Sequence, residues 1–161
     1  MPTVYLTIGP PAAGKTTYVS WHLISPGKVG ASYVLSPDGL LFVGSEYRWS
    51  KARVGRAWQS VKADYLRFLA AGRDIVVDAT FAERRDRRPY IKPARAAGCR
   101  IIAVYFDVPA EVCIERDKAR LEHGKSVGEE IVRRYVEVLQ APDHDEGFDE
   151  VWVIGPDGER R

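Results

Sequence analysis

The feature that leaves this chain fewest choices is an abrupt junction near its start. The apolar run Val4-Tyr5-Leu6-Thr7-Ile8 leads straight into Gly9-Pro10-Pro11-Ala12-Ala13-Gly14-Lys15-Thr16. The run reads as a buried strand, and helical spacing takes over at Lys15. Strand, glycine-bounded loop and helix in that order is the context that the pattern GxxxxGK[ST] requires. Each residue type has a reason: the glycines admit backbone conformations that a Cβ would block, so successive N–H groups can turn inward onto phosphate oxygens. Lys15 offers a point charge to β- and γ-phosphates, Thr16 a hydroxyl to Mg²⁺, and the helix N-terminus its positive end. Gly9, Pro10, Pro11, Ala12, Ala13, Gly14, Lys15, Thr16 and the following Thr17 are therefore expected to hold ATP, with Mg²⁺ on Thr16.

The same alternation continues downstream. Short apolar runs at Tyr33 to Leu35, Ile75 to Val77, Ile101 to Phe106 and Val151 to Ile154 predict strands. Between them, helical spacing covers Lys15 to Ile24, about Ser50 to Ala71, about Arg85 to Ala97, Pro109 to Glu122, and Gly128 to Gln140. Gly72, Gly98 and Pro142 supply helix stops, while Pro89 and Pro93 place the true start of the third long helix nearer Pro89. A βαβα order predicts a parallel sheet with helices on both faces, because each parallel crossover needs a covering element. The length of 161 residues, without linkers or repeats, predicts a single domain spanning 1–161.

Composition narrows the class. A net charge of +2 is too small to mark a nucleic-acid coat protein, so any such binding must come from local clusters. Cys99 and Cys113 lack CxxC spacing and sit among apolar residues, which predicts buried reduced thiols. The N-terminus lacks a signal-peptide layout and no apolar run approaches the ~20 residues that span a bilayer. A cytoplasmic protein without a membrane or protein partner is the expectation.

Phosphoryl transfer to a hydroxyl needs a carboxylate facing the γ-phosphate. Asp38, in Leu35-Ser36-Pro37-Asp38-Gly39, follows the second predicted strand and so belongs at the carboxyl edge of the sheet, where open α/β folds bind ligands. Ser-Pro-Asp-Gly is also an ordinary turn sequence. Asp78 ends the third predicted strand at the same edge and is a candidate Mg²⁺-supporting carboxylate, or else a loop-bracing Asp. Arg116 and Arg120 share a helix face with like charge, either as arginines of a mobile lid over the polyphosphate or as a solvated face paired with Glu115 and Glu122. A compact chain without the guanine-recognition NKxD pattern fits a kinase better than a GTPase.

Taken together these segments resemble the 5′-hydroxyl kinase domain of the bacteriophage polynucleotide kinase type of P-loop phosphotransferase and its small stand-alone relatives. The resemblance rests on Gly9 to Thr16, Ser36-Pro37-Asp38, Asp78-Ala79-Thr80 with Glu83-Arg84-Arg85, Phe106-Asp107-Val108-Pro109 leading to Arg116 and Arg120, and Glu146-Gly147-Phe148-Asp149. It implies a P-loop kinase-like α/β sheet of order 2-3-1-4-5 with a small helical lid. It further implies that Lys15 and Thr16 hold ATP and metal, that Asp38 activates the acceptor, and that Arg116 and Arg120 belong to the lid. One departure stands out: where that family has an arginine three residues beyond the general base, this chain has Leu41, for which Arg48 or Arg53 would have to substitute.

Arg84, Arg85, Arg87 and Arg88 form a basic cluster after Asp78, expected near the acceptor side of the cleft. Asp38, Asp78, Arg84, Arg85 and Arg88 are accordingly the candidate acceptor-binding set, suited to the 5′-hydroxyl end of DNA or RNA, unless the arginines are simply a solvated helix start. A small hydroxylated metabolite, antibiotic or nucleotide sugar is the second acceptor, and a non-catalytic nucleotide-binding module the third reading. Trp49 and Trp58 suit base stacking or packing, with packing expected. The run Asp143-His144-Asp145-Glu146 reads as a polar loop rather than a metal site.

Overall fold

Alternate residues of the central strands serve opposite faces, and both faces are buried. Val4, Leu6 and Ile8 lie in one apolar cluster with Ile75, Val77, Ile101 and Ala103, whereas Val76, Ile102 and Val104 lie in the other. A sheet covered on both sides needs apolar residues at every position, which is why its strands read as continuous apolar runs. The computed structural model describes residues 1–24, 29–44 and 46–161.

The five parallel strands are β1 (Thr3–Ile8), β2 (Val34–Leu35), β5 (Ile75–Val77), β6 (Arg100–Phe106) and β7 (Glu150–Ile154), ordered β2-β5-β1-β6-β7. Counting only these five, the order is the expected 2-3-1-4-5. A two-stranded antiparallel ribbon, β3 (Phe42–Val43) and β4 (Glu46–Tyr47), stands apart from the sheet. Its pairing joins Phe42 to Tyr47 and Val43 to Glu46. The helices are α1 (Lys15–Tyr18), α2 (Lys51–Ala70), α3 (Arg84–Ala96), α4 (Ala110–Ala119) and α5 (Glu129–Val138). Residues of α2 and α3 cover one face of the sheet, and those of α1, α4 and α5 cover the other. Cys99 and Cys113 are buried free thiols, one in each cluster.

Local chemistry sets the helix ends. Ser50 caps α2 by accepting from the Arg53 N–H at 3.1 Å, and α2 buries Ala57, Val61, Tyr65 and Leu69 at four-residue spacing. Three expectations are corrected. The helix expected over 15–24 is α-helical only through Tyr18, after which Val19–Leu23 winds as a π-helix. The strand expected from Tyr33 begins at Val34, because Ala31–Tyr33 forms a 3-10 turn. The third long helix starts at Arg84 rather than near Pro89, and it does so because Glu83 and Asp86 close a capping box. Pro93 lies four residues after Pro89 and cannot donate to its carbonyl; Lys62 Nζ on α2 donates to it instead, so the two prolines are tolerated inside the helix.

Arg87 is the largest fully buried side chain, and its guanidinium ties α3 to two loops. It donates to Glu146 at 2.9 and 3.2 Å, to the Phe81 carbonyl at 3.2 Å and to the Gln140 carbonyl at 2.9 Å. Removing one member of such a pair strands a buried charge, which costs about 3–5 kcal/mol. Glu146→Ala is therefore expected to lower unfolding stability by that amount in urea titrations; a loss under about 1 kcal/mol would show the pair to be dispensable.

Candidate active site

β1 delivers the glycine loop to the carboxyl edge of the sheet at close quarters. The Gly9 N–H donates to Thr80 O at 3.0 Å, and a Cβ on Gly9 would stand 2.9 Å from Phe106 Cβ, so only glycine fits between β1 and β6 here. Gly14 at the start of α1 has φ +96°, and Ala12 also takes a left-handed φ of 63°, a conformation that costs a non-glycine residue roughly 1 kcal/mol. The Lys15 ammonium is 9% exposed and donates to the carbonyls of Gly9 at 3.1 Å and Pro10 at 2.6 Å. Burial lowers its pKa to about 8, against the opposing pull of the Asp78 carboxylate.

Asp78 follows β5 and is nearly buried. Its Oδ2 accepts from the Thr16 hydroxyl at 2.8 Å, and its Oδ1 lies 3.4 Å from the Thr7 hydroxyl. Burial raises the Asp78 pKa, while the Thr16 bond and the Lys15 charge pull it down. Thr7 locks this turn by donating to Ala79 O at 2.7 Å and accepting from Ala79 N–H at 2.9 Å. Its role was missed in the sequence, although the signal exists: Thr7 is the polar residue inside an otherwise apolar run before the loop.

Asp38 lies beyond β2 in a turn whose last residues, Gly39–Leu41, form a 3-10 helix. Its Oδ1 accepts from the Tyr47 hydroxyl of β4 at 2.8 Å. Burial pushes the Tyr47 phenol well above its ordinary pKa, and the bond to Asp38 adds to the shift. Tyr47 left no trace in the sequence, because two-residue strands are too short to show alternation. Leu41 is buried and lines the cleft, whereas Arg48 and Arg53 do not line it. Arg48 instead pairs with Glu46 at 3.0 Å, and its carbonyl accepts from Arg53 Nε at 3.0 Å.

Arg116 of α4 and Arg120 at its C-cap close the third side. Arg116 donates to Ala13 O at 3.1 Å and to Pro156 O at 2.5 Å, bridging the glycine loop and the turn after β7. Arg120 Nη2 donates to Asp117 at 2.9 Å, while its buried Nε has no partner among the described residues. Asp117 also accepts from Ser126 Oγ at 2.8 Å, Val127 N at 3.0 Å and Gly128 N at 2.9 Å. Its burial alone would raise its pKa, but the bonds from Arg120, Val127, Gly128 and Ser126 outweigh that and hold it below the ordinary carboxylate value. The turn that leads into α5 is thus pinned to α4.

One cavity of about 1440 Å³ joins these groups: residues Pro11 to Thr17, Asp38, Asp78, Arg116 and Arg120 all line it. Lys125 and Arg134 add positive charge to its wall. Arg84, Arg85 and Arg88 do not line it, which corrects their expected placement. Arg84 pairs with Asp145 at 2.6 Å and Arg85 with Glu83, itself on the cleft wall, at 3.2 Å, so acidic neighbours answer both, while Arg87 is structural. Trp58 packs on Phe81 and Tyr90, as expected, but Trp49 is 65% exposed on the cleft wall. Among the described residues no group of three or more His, Cys, Asp or Glu could hold a metal ion, and Asp143 instead closes a capping box with Glu146. No helix of the described residues is long and apolar enough to cross a membrane.

A parallel sheet of this order, with a glycine loop entering a helix beneath a lid, defines a P-loop kinase-like α/β protein. The chain matches the AAA_33 family, an AAA domain, over residues 4–142 and belongs to it. Similar solved structures include a chain of the Pnkp1/Rnl/Hen1 RNA repair complex, at TM-score 0.73 and 22% identity over 92% of this chain but only 46% of the other. An unliganded sugar kinase from Janibacter sp. HTCC2649 matches at TM-score 0.68 and 14% identity, covering 99% of this chain and 88% of that one. The Mycobacterium tuberculosis APS kinase CysC, solved with AMPPNP and APS, matches at TM-score 0.58 and 19% identity over 94% and 88% of the two chains.

The lowered Lys15 pKa gives a measurable consequence. A polyphosphate beside Lys15 favours the ammonium, so binding of Mg²⁺-complexed ATP at pH 8 should take up a measurable fraction of a proton per site, and less as the pH falls below the lowered Lys15 pKa. Calorimetry in buffers of different ionisation enthalpy reads this directly; buffer-independent heats at pH 8 would place Lys15 away from the phosphates.

Proposed function

We propose that the protein is an ATP-dependent kinase that transfers the γ-phosphoryl group to a hydroxyl acceptor. The observation that carries this reading is one cavity with Lys15, Thr16 and Asp78 on one wall and Asp38, held by Tyr47, on another. In this reading residues 1–161 act as one domain. The glycine-loop N–H groups and Lys15 bind the polyphosphate, and Arg116 and Arg120 balance the charge that develops on it. The partnerless Nε of Arg120 supports that role. Thr16 and Asp78 offer a hydroxyl and a carboxylate, hard oxygen donors that fit Mg²⁺ and would hold it, and the ion would supply positive charge against the polyphosphate. Asp38 takes the acceptor proton as the acceptor oxygen bonds to the γ-phosphorus; the bond to the bridging oxygen breaks and its electron pair leaves on ADP.

The acceptor that the sequence resemblance suggests is the 5′-hydroxyl end of DNA or RNA, and Lys125, Arg134 and the exposed Trp49 on the cleft wall support it. A small hydroxylated molecule is the reading that the cleft itself supports better. Leu41 stands where an arginine would grip a phosphate next to the reacting hydroxyl, and Arg84, Arg85 and Arg88 lie outside the cleft.

Transfer of label from γ-labelled ATP to a panel of oligonucleotides and small alcohols tests the reaction. Lys15→Ala should reduce turnover by about 10²–10³-fold and Asp38→Asn by about 10²–10⁴-fold. Turnover within a few-fold of the native rate would remove these roles. The double variant Arg84→Ala, Arg85→Ala should leave acceptor KM and its salt dependence unchanged; a raised oligonucleotide KM with a flattened salt slope would restore the nucleic-acid reading.

A further inference from the structure

α5 carries two apolar stripes, and only one of them belongs to the core. Val132 is fully buried, and Val136 packs with it against Cys113, Ile114 and the sheet. Ile131, Tyr135 and Val138 form the second stripe at spacings of four and three residues, and all three line the cleft. Ile131 and Val138 remain 40% and 41% exposed. Trp49, 65% exposed, Leu41 and Val54 line the same cleft.

Tyr47, which donates to Asp38, has Tyr135 of α5 and Arg120, the C-cap of α4, close enough to act on its phenol, so the second stripe of α5 reaches the Asp38–Tyr47 pair at Tyr135. Large apolar side chains left half exposed around a carboxylate are unfavourable in water and become favourable when an apolar body displaces it. A polyol or sugar would leave them wet. A polyanionic strand would meet Leu41 where it needs a cation, although Arg120, Lys125 and Arg134 line the same cleft.

We infer that the acceptor is a small alcohol with a planar aromatic body, its ring held between Trp49 and the Ile131–Tyr135–Val138 stripe and its hydroxyl at Asp38. The inference rests on the phosphotransfer reading for the role of Asp38 but not for the binding itself. Lys125 and Arg134 fit an anionic or strongly polar substituent on that body.

Two measurements on the whole chain test it. Calorimetric titration of the AMPPNP-bound protein with 2-naphthylmethanol, glucose and a 5′-hydroxyl oligo-dT is expected to show binding of the aromatic alcohol at least tenfold tighter than glucose. Trp49→Ala and Ile131→Asn, both exposed positions, should each weaken that binding by about five- to tenfold and leave AMPPNP affinity unchanged. Label transfer from γ-labelled ATP to the same three probes should favour the aromatic alcohol. Absent binding of the naphthyl probe, binding unaffected by Trp49→Ala, or preferential labelling of the oligonucleotide or glucose each overturns the inference. Binding that follows these variants without any label transfer keeps the acceptor subsite and overturns the kinase reading instead.

Discussion

The buried carboxylate of Asp78 is the group on which the rest of the site depends. It receives the Thr16 hydroxyl from the glycine loop, lies beside the Thr7 hydroxyl of β1 and stands near enough to Lys15 to raise that lysine's proton affinity. A carboxylate this deep is costly unless its oxygens are answered, and here Thr7 of β1 and Thr16 of the helix that follows it answer them. Thr7 then fastens the chain beyond Asp78 through both its donor and its acceptor, and Thr80 O receives the Gly9 N–H. The loop that would grip phosphate and the strand end that would support a cation are therefore one hydrogen-bonded unit.

The opposite side of the cleft is organised on different terms. Asp38 is exposed and held by a single phenol from a short ribbon that stands outside the main sheet. The segment between α4 and α5 meets this ribbon where Lys125 Nζ lies 4.8 Å from the Phe42 ring centre. Asp117, buried within α4, gathers Arg120 and the turn at Ser126 to Gly128, so Arg120 and the start of α5 are held together. A rigid donor side and a lightly braced acceptor side suit a cleft that binds one common ligand and one variable one.

Much of this was legible from local pattern. The glycine loop, the five sheet strands and the two edge carboxylates all lie close to where residue type and spacing put them, because buried parallel strands read as apolar runs and strand ends at one sheet edge converge. Helix α3 was harder, since its prolines argue for a late start; a capping box and the Lys62 contact from another helix override them. The arginines of α3 were the least legible. Four arginines within five positions look like a binding patch, yet one is a buried strut and two are paired with acidic residues, and the partners of Arg84 and Arg87, Asp145 and Glu146, come from a loop distant in sequence.

The sequence by itself determined the sheet and its glycine loop, because these follow from residue type and short-range spacing along strand–loop–helix units. Only the tertiary structure decided what surrounds Asp38. Tyr47, Leu41, Trp49 and the second stripe of α5 come from segments separated by up to a hundred residues, and nothing local distinguishes them from core or surface positions. Their meeting at Asp38 depends on how the ribbon, α2 and α5 pack around the sheet edge, which is a long-range property that spacing along the chain does not encode.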